Sequence, residues 1–145
     1  SKGMFMKILI CGLPGSGKTT LAKPLANLLG GVWINADAVR EKYNDWDFSP
    51  EGRLRQAQRM RYLADGVELA GKIAVADFVC PTEQTRLDFA PDYTVWMDTI
   101  KEGRFADTNA IFEEPLQCNY HVKEWFHDTD KELMKVVTNY IQRNK

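Results

Sequence analysis

The stretch GLPGSGKT, residues 12–19, carries the most specific chemistry in the sequence. It satisfies the pattern G-x-x-x-x-G-K-[ST], in which glycines allow backbone N–H groups to curl around phosphate oxygens. Lys18 is expected to reach the β and γ phosphates of ATP, and the Thr19 hydroxyl is expected to bind Mg²⁺. The residues predicted to bind the nucleotide are Gly12, Leu13, Pro14, Gly15, Ser16, Gly17, Lys18, Thr19 and Thr20.

A second stretch, INADAVR at residues 34–40, places the acid Asp37 three positions before Arg40. Asp is among the residues that best cap the first turn of a helix, so Asp37 is expected to cap the helix that follows. At the carboxyl end of a strand, the same carboxylate could accept the proton of an attacking hydroxyl. One oxygen can cap while the other faces the site, and we predict the catalytic role. A pure cap is the alternative.

The kind of reaction is restricted by what the sequence lacks. A switch GTPase would need an N-K-x-D segment that reads the base, and the sequence has none. Motor and AAA-type ATPases usually carry an apolar strand that ends in Asp-Glu, whereas the corresponding run here ends in Asp77-Phe78. Asp77 is a further candidate for the metal, acting through water, and a buried structural acid is the alternative. A small kinase remains as the predicted class of enzyme.

Segments that favour strands alternate with segments that favour helices. This alternation predicts a parallel sheet with right-handed crossovers. The expected fold is therefore α/β, a three-layer P-loop NTPase fold with a central sheet flanked by helices, forming one domain over residues 1–145. The predicted strands are 7–11, 32–36, 72–79 and 93–98, and the predicted helices are 18–29 with a stripe of Leu21, Leu25 and Leu28, 50–70 with Ser49 as cap, 82–89, and 128–143.

Length and composition disfavour several other classes of protein. The 145 residues suit one domain, and no apolar run approaches the ~20 residues that a membrane-spanning helix needs. Lysine plus arginine (19) nearly balance aspartate plus glutamate (20), so no overall positive charge favours nucleic-acid binding. Three cysteines without C-x-x-C spacing, together with the lack of a signal peptide, predict reduced thiols in a cytoplasmic protein.

Four motifs together resemble the adenylylsulfate kinase (APS kinase) family. GLPGSGKTTLA is followed by INADAVR, by FSPEGR at residues 48–53 and by FVCP at residues 78–81, with nearly the family's spacing over about the first 100 residues. Enzymes of that family transfer the γ-phosphate of ATP to the 3′-hydroxyl of adenosine 5′-phosphosulfate (APS). The resemblance implies the same reaction here, or a close relative with a changed acceptor. It also implies small-molecule substrates, with no nucleic-acid or membrane partner.

The resemblance further implies roles around the acceptor. Asp37 matches the acid near the accepting hydroxyl, and Arg40 and Arg53 match arginines that hold the phosphosulfate. Phe48 matches the aromatic residue that packs on the acceptor adenine. The structural alternatives are a solvated helix residue at Arg40, a first-turn surface residue at Arg53 and a hydrophobic staple at Phe48. Further acceptor-binding residues expected from the same motifs are Gln56, Phe78, Val79 and Cys80.

The sequence departs from the family pattern at several positions. Asn35 stands where the family usually has a second Asp, Gln56 where it has Asn, and Cys80 where it has Ser. The family's lysine-bearing F-T-G-I stretch, which closes over both substrates, is absent. Residues 101–127 have no long periodic segment and are predicted to form a mobile lid. Within them GRFADTN, residues 103–109, would be a reduced lid with Arg104 facing the phosphates, and a capped surface turn is the alternative.

Two groups of residues are not predicted to carry catalytic or metal chemistry. The first is a solvated helix face formed by Arg55, Arg59 and Arg61, although Arg59 falls where the family has a further arginine. The second lacks the spacing of metal or thiol sites and consists of Cys80, His121 and His127.

Two other functions stay open on the sequence alone. A polynucleotide 5′-hydroxyl kinase has a similar acid and arginine after its second strand, but FSPEGR and the charge balance disfavour it. A non-catalytic ATP-binding module would suit the altered lid, but the joint presence of Lys18, Thr19 and Asp37 disfavours it. The sequence does not indicate an oligomeric state.

Overall fold

The computed structural model describes residues 6–124 and 128–144. Along these residues five strands and six helices follow one another. They are β1 Lys7–Cys11, α1 Lys18–Leu28, β2 Val32–Asn35, α2 Ala36–Tyr43, α3 Pro50–Leu69, β3 Ala74–Asp77, α4 Glu83–Phe89, β4 Tyr93–Met97, α5 Ala106–Ile111, β5 Tyr120–Val122 and α6 Thr129–Arg143. Among them, no helix is both long and apolar enough to span a bilayer.

The strands form one parallel sheet with the order β2-β3-β1-β4-β5. Helices cover both faces, and each face has its own apolar core. Leu21 and Leu25 of α1 pack with Leu133 of α6 on one face, whereas Met60 of α3 and Phe89 of α4 pack on the other. The predicted three-layer α/β architecture is confirmed. Parallel strands bring their carboxyl ends to one edge of the sheet, where ligands bind in such folds.

The predicted start of α3 is confirmed, whereas the predicted buried stripe of α1 is only partly correct. Helix α3 begins as expected, because the Ser49 hydroxyl accepts a hydrogen bond from the backbone N–H of Gly52 at 3.2 Å and Pro50 is the first helical residue. The stripe predicted for α1 is wrong at Leu28, which is 42% exposed. Ala22 and Ala26 are buried instead, because α1 lies close enough to the sheet for small side chains to fill that space.

Strands β2 and β3 are shorter than their apolar runs. The run 72–79 predicted a longer strand, but β3 ends at Asp77 and the chain turns at Cys80, where φ is 45°. The residues after Asp77 remain buried in a loop, so their apolar character reflects burial and not strand pairing. Strand β2 ends at Asn35 and α2 starts at once with Ala36.

Residues 101–124 contain two short elements that the sequence analysis missed. Strand β5 extends the sheet by pairing in parallel with β4, with His121 opposite Trp96. Helix α5 has six residues and packs near the acceptor side of the site described below. Elements this short carry no detectable periodicity, so only tertiary pairing reveals them. The last part of the predicted lid, including His127, lies outside the described residues.

Candidate functional site

A cavity of about 790 Å³ opens at the carboxyl edge of the sheet. Its walls come from six places: the loop 12–19 (here the P-loop), the junction of β2 and α2, the loop between α2 and α3, the start of α3, the loop after β3, and residues 104–108. The volume lies within the usual range of ligand pockets, about 300–1,000 Å³. The structure therefore brings the separate sequence motifs around one space.

The P-loop adopts a conformation that requires glycine. Gly12 has φ of 153°, and a side chain there would come within 2.6 Å of the backbone oxygen of Met97. Gly17 has φ of 98° and precedes the first turn of α1. Six of the predicted nucleotide-binding residues line the cavity, namely Pro14, Gly15, Gly17, Lys18, Thr19 and Thr20. The remaining three, Gly12, Leu13 and Ser16, are buried and shape the loop.

Lys18 lies partly buried between the P-loop and the acids of the site. Its Nζ donates a hydrogen bond to the backbone oxygen of Leu13 at 3.0 Å. Burial lowers the pKa of the Lys18 amine, and the nearby carboxylates of Asp77 and Asp37 oppose this by stabilising its charge. An ammonium in this environment is poorly solvated, which favours its interaction with an incoming phosphate.

Asp77, at the end of β3, is held by three donors. Its carboxylate accepts hydrogen bonds from Trp33 Nε1, from Asn35 Nδ2 at 3.1 Å and from the Thr19 hydroxyl at 3.4 Å. Burial raises the pKa of Asp77, while the bond from Trp33 and the charge of Lys18 lower it. Asn35 stands where the resembled APS kinase family usually has Asp, and here it donates a hydrogen bond to the Asp77 carboxylate.

The oxygens of Thr19 and Asp77 fit the chemistry of Mg²⁺. Hard oxygen donors suit this ion, which usually keeps several waters and binds through one or two protein oxygens and the phosphates of a nucleotide. The described residues contain no cluster of three or more His, Cys, Asp or Glu side chains able to hold a metal.

The expectation that Asp37 caps α2 is wrong. The cap is Asn35, whose Oδ1 accepts a hydrogen bond from the backbone N–H of Ala38 at 3.0 Å. Because β2 ends at Asn35, the extended backbone that a cap requires falls there, and Asp37 is already in the first helical turn. Asp37 lines the cavity, and its carboxylate has no hydrogen-bond or ion-pair partner among the described residues. A pure cap is therefore excluded.

Two arginines of the acceptor motifs are buried beside the cavity. Arg40 is 5% exposed and Arg53 is 9% exposed, so the alternatives of solvated surface residues are wrong. Arg40 Nη1 donates to the backbone oxygens of Asp45 and Asp47 at 3.0 and 3.1 Å. Arg53 Nε donates to the backbone oxygen of Phe48 at 2.9 Å. Both guanidinium groups thereby hold the loop between α2 and α3.

Neither buried guanidinium has a carboxylate partner among residues 6–124 and 128–144. Within the described residues, no ion pair forms to Arg40 or Arg53, whereas Arg55 pairs with Asp45 and Asp47. Burial lowers the pKa of Arg40 and of Arg53, with only partial compensation from carboxylates nearby. A buried cation without a counter-ion is costly, and an anion bound in the cavity would remove that cost.

Phe48 forms the aromatic centre of this wall. Its ring centroid lies 4.2 Å from the guanidinium carbon of Arg40 and 5.4 Å from that of Arg53. The contact with Arg53 occupies the position of a hydrophobic staple, but it is a cation–π contact. Phe48 is about half exposed and lines the cavity, as does the neighbouring Trp46.

The remaining predicted acceptor residues lie around the same wall, largely in structural contacts. Gln56 donates to the backbone oxygen of Ala36 at 3.1 Å and accepts from Arg59. Phe78 packs edge to face on Phe89 with ring centroids 5.5 Å apart. The Val79 carbonyl accepts from the N–H of Gly12. All three line the cavity.

Cys80 and His121 lie in different surroundings. Cys80 lines the cavity but is buried, and burial raises the pKa of its thiol, which keeps it protonated and a poor nucleophile. His121 stacks on Trp96 and lies 2.9 Å from an Asp98 carboxylate oxygen.

Arg59 belongs to an ion-pair network and not to a solvated face. It pairs with Asp45 at 2.9 Å and lies over the ring of Tyr43. Arg55, on the exposed side of the same network, and Arg61 are about half exposed, as expected. The network fixes the loop that presents Trp46 and Phe48.

Sequence reasoning missed several residues of the site. Trp46 lies in the segment NDWDFS, residues 44–49, two positions before Phe48, and an aromatic residue between two acids was a usable signal. The sequence pattern identified Trp33 only as part of the predicted strand 32–36. Arg104, which was predicted to face the phosphates, lines the cavity, and so do Phe105 and Thr108, which were not predicted. The contacts of Thr108 join parts of the chain far apart in sequence, which no local pattern encodes.

Several known proteins resemble this chain in sequence or in fold. A probable adenylyl-sulfate kinase of Aeropyrum pernix is 34% identical over 88 residues, 54% of this chain and 46% of that protein. The chain spans about half the length of the curated relatives it matches. The APS kinase of Mycobacterium tuberculosis, solved in complex with AMPPNP and APS, has a TM-score of 0.76 at 16% identity, over 92% of this chain and 97% of that one.

A sugar kinase from Janibacter sp. also matches, with a TM-score of 0.69 at 17% identity over 95% of both chains. At such identities the likeness to solved structures shows the fold alone. The family described as AAA domain matches residues 8–137, nearly the whole chain, although Asp77 is followed by Phe78 and not by a water-activating glutamate. With its P-loop, parallel sheet and matched length, the chain belongs to the AAA domain family.

Proposed function

We propose that this protein is a P-loop kinase that transfers the γ-phosphate of ATP to a hydroxyl group of an anionic acceptor. The favoured acceptor is adenosine 5′-phosphosulfate, which would give 3′-phosphoadenosine 5′-phosphosulfate. The observation that carries the proposal is the pair of buried guanidiniums, Arg40 and Arg53, which have no carboxylate partner among the described residues and border the same cavity as the P-loop.

Charge is the first argument for an anionic acceptor. Arg40 and Arg53 belong to the part of the lining that α2 and α3 form, whereas the nucleotide phosphates are expected at the P-loop. Their planar, multidentate donors match the oxygens of phosphate or sulfate. The half-exposed rings of Trp46 and Phe48 add apolar surface to that wall, which suits an acceptor with a planar base.

The proposed chemistry needs a base at the acceptor hydroxyl and cations at the phosphates. Asp37 would take the proton of the acceptor hydroxyl as its oxygen bonds to the γ-phosphorus, while the bond from that phosphorus to the β,γ-bridging oxygen breaks and ADP leaves. Lys18 would exchange its bond to the Leu13 carbonyl for one to the phosphates and offset their charge. Mg²⁺, held by Thr19 and through water by Asp77, would neutralise the phosphate oxygens.

Two further observations support transfer to an acceptor over hydrolysis. The carboxylate of Asp37 faces the cavity without a partner among the described residues, so it is available to a substrate. The chain also lacks the glutamate that would follow Asp77 in water-activating ATPases. The name of the Aeropyrum pernix relative, an adenylyl-sulfate kinase, favours APS among anionic acceptors.

The test is a γ-phosphate transfer assay with radiolabelled ATP. APS, a 5′-hydroxyl oligonucleotide, nucleosides, a sugar acid such as gluconate, and water are compared as acceptors. The proposal expects transfer to APS at the highest rate. Transfer only to the oligonucleotide would indicate a polynucleotide kinase, transfer only to gluconate a sugar-acid kinase, and ATP binding without any transfer a nucleotide-binding module.

A further inference from the structure

Residues 103–109, GRFADTN, comprise a short loop and the first turn of α5, and one side chain closes them into a compact segment, here called the 103–109 loop. The Asn109 carboxamide holds both backbone groups of Gly103. Its Oδ1 accepts from the Gly103 N–H at 2.8 Å, and its Nδ2 donates to the Gly103 carbonyl at 2.9 Å. This pairing resembles that of two peptide groups in a ladder, and it fixes the start of the loop relative to α5.

The start of this loop lies against the donor half of the cavity. A side chain at Gly103 would come within 3.1 Å of the backbone oxygen of Pro14 in the P-loop. The next residue, Arg104, lines the cavity beside the P-loop, and the described residues offer its guanidinium no carboxylate within ion-pairing distance. Asn109 therefore fixes the backbone from which the cavity-lining Arg104 extends.

The other end of the loop lies against the acceptor half. Thr108 is buried, and its hydroxyl accepts a hydrogen bond from Arg53 Nη2 at 3.1 Å. The same guanidinium holds the carbonyl of Phe48 through Nε. The adjacent Asp107 carboxylate adds a favourable electrostatic interaction with Arg53. Thr108 therefore sets the position of one of the two proposed acceptor arginines.

Thr108 and Asn109 are consecutive residues of α5, held by its backbone hydrogen bonds. We propose that they are positioning residues that link Arg53 on the acceptor side to Arg104 on the donor side, so that binding of either substrate tightens binding of the other. This inference rests on the proposed function and deepens it. A ligand that orders one end of a short rigid element lowers the ordering cost at the other end.

The main experiment measures coupling between two ligands by calorimetry. The affinity for AMPPNP is determined without APS and with saturating APS, for the parent and for Thr108→Val and Asn109→Ala. In the parent we expect APS to raise the AMPPNP affinity about tenfold, within the usual range of coupling between sites. Each substitution should bring this factor close to one while each ligand alone still binds.

Three variants separate linkage from general damage to the fold. Thr108→Ser keeps the hydroxyl and should keep the coupling factor. Asn119→Ala removes a similar side-chain bond, to the Thr94 N–H at 2.8 Å, and Thr138→Val removes a helical threonine hydroxyl bond to Met134; neither residue lines the cavity. Both should retain the factor. A factor of one in the parent, or the parent's factor in Thr108→Val and Asn109→Ala, would overturn the proposal.

A second measurement keeps the linkage testable if APS is not the acceptor. AMPPNP alone should slow amide hydrogen exchange at residues 48–53, across the cavity from the P-loop, in the parent but not in Asn109→Ala. If APS produces no binding heat with the parent, the acceptor proposed above is wrong, and the exchange result alone decides the linkage. Unchanged exchange at residues 48–53 in the parent with AMPPNP would then overturn it.

Discussion

The two halves of the cavity are held in place by different means. On the donor side, the P-loop is shaped by its own backbone, with Gly12 and Gly17 in conformations that other residues rarely adopt. On the acceptor side, the loop between α2 and α3 is held by side chains from elsewhere, above all Arg40 and Arg53 bound to its backbone carbonyls. The donor site is therefore formed by residues that are consecutive in sequence. The acceptor site is held together by side chains from separate elements of the fold.

This difference separates residues that look alike in sequence. Arg53 and Arg55 are two positions apart on α3, but Arg53 is buried without a carboxylate partner among the described residues, whereas the Arg55 side chain is 47% exposed and pairs with two aspartates. A paired surface arginine stabilises a loop, while an unpaired buried one favours an anionic ligand. Changes on the two sides of the cavity should accordingly have separable effects.

The largest effect is expected on the donor side from Lys18→Ala. Loss of a cation at the transferring phosphoryl group should lower kcat with every acceptor by about 10³ to 10⁵. Transfer assays and a thermal melt measure this, and the melting temperature should stay close to that of the parent. Near-normal turnover would remove the P-loop from the chemistry.

Asp37→Asn should lower kcat by ~10² to 10⁴ because the base at the acceptor hydroxyl is lost. Since Asn35 and not Asp37 caps α2, the folded state should be unaffected. ATP affinity and melting temperature should match the parent within error. A mutant that turns over within a few-fold of the parent would show that Asp37 neither orients nor deprotonates the acceptor.

Arg53→Ala should weaken acceptor binding much more than ATP binding. A charged contact removed from a desolvated site is worth roughly 2 to 5 kcal/mol. Arg61→Ala, a control on the same helix, should leave both KM values unchanged, because Arg61 pairs with Asp65 and does not line the cavity. Because Arg53 also holds Phe48, Arg53→Lys is included as a folded variant that keeps the charge and loses the planar fork. Equal loss of ATP and acceptor affinity would place Arg53 on the donor side.

The smallest effect is expected outside the cavity, from Ser49→Ala. The Ser49 hydroxyl caps α3, so its removal should cost about 1 kcal/mol of unfolding free energy. The melting temperature should fall by about 2 to 4 °C for a chain of this size, with kcat unchanged. A marked fall in kcat would mean that the orientation of α3 is itself part of the acceptor site.

The sequence predicted the fold and the P-loop well because both depend on short-range chemistry. Strand, glycine-rich turn and helix follow one another in residues 7–28 as expected. The prediction failed where two neighbours competed for one role, as Asn35 and Asp37 did for the cap of α2. It also failed at β5, whose three residues become a strand only by pairing with β4.

What the sequence by itself determined is the alternation of strands and helices, the phosphate-binding turn and the start of α3 at Ser49, because propensity, glycine conformations and capping act within a few residues. Only the tertiary structure decided that Arg53 is buried without an ion pair in the described part of the chain while Arg55 is paired, and that Thr108 contacts Arg53 across 55 positions of sequence. Burial and long-range hydrogen bonds depend on which surfaces the fold brings together, and no local pattern records them.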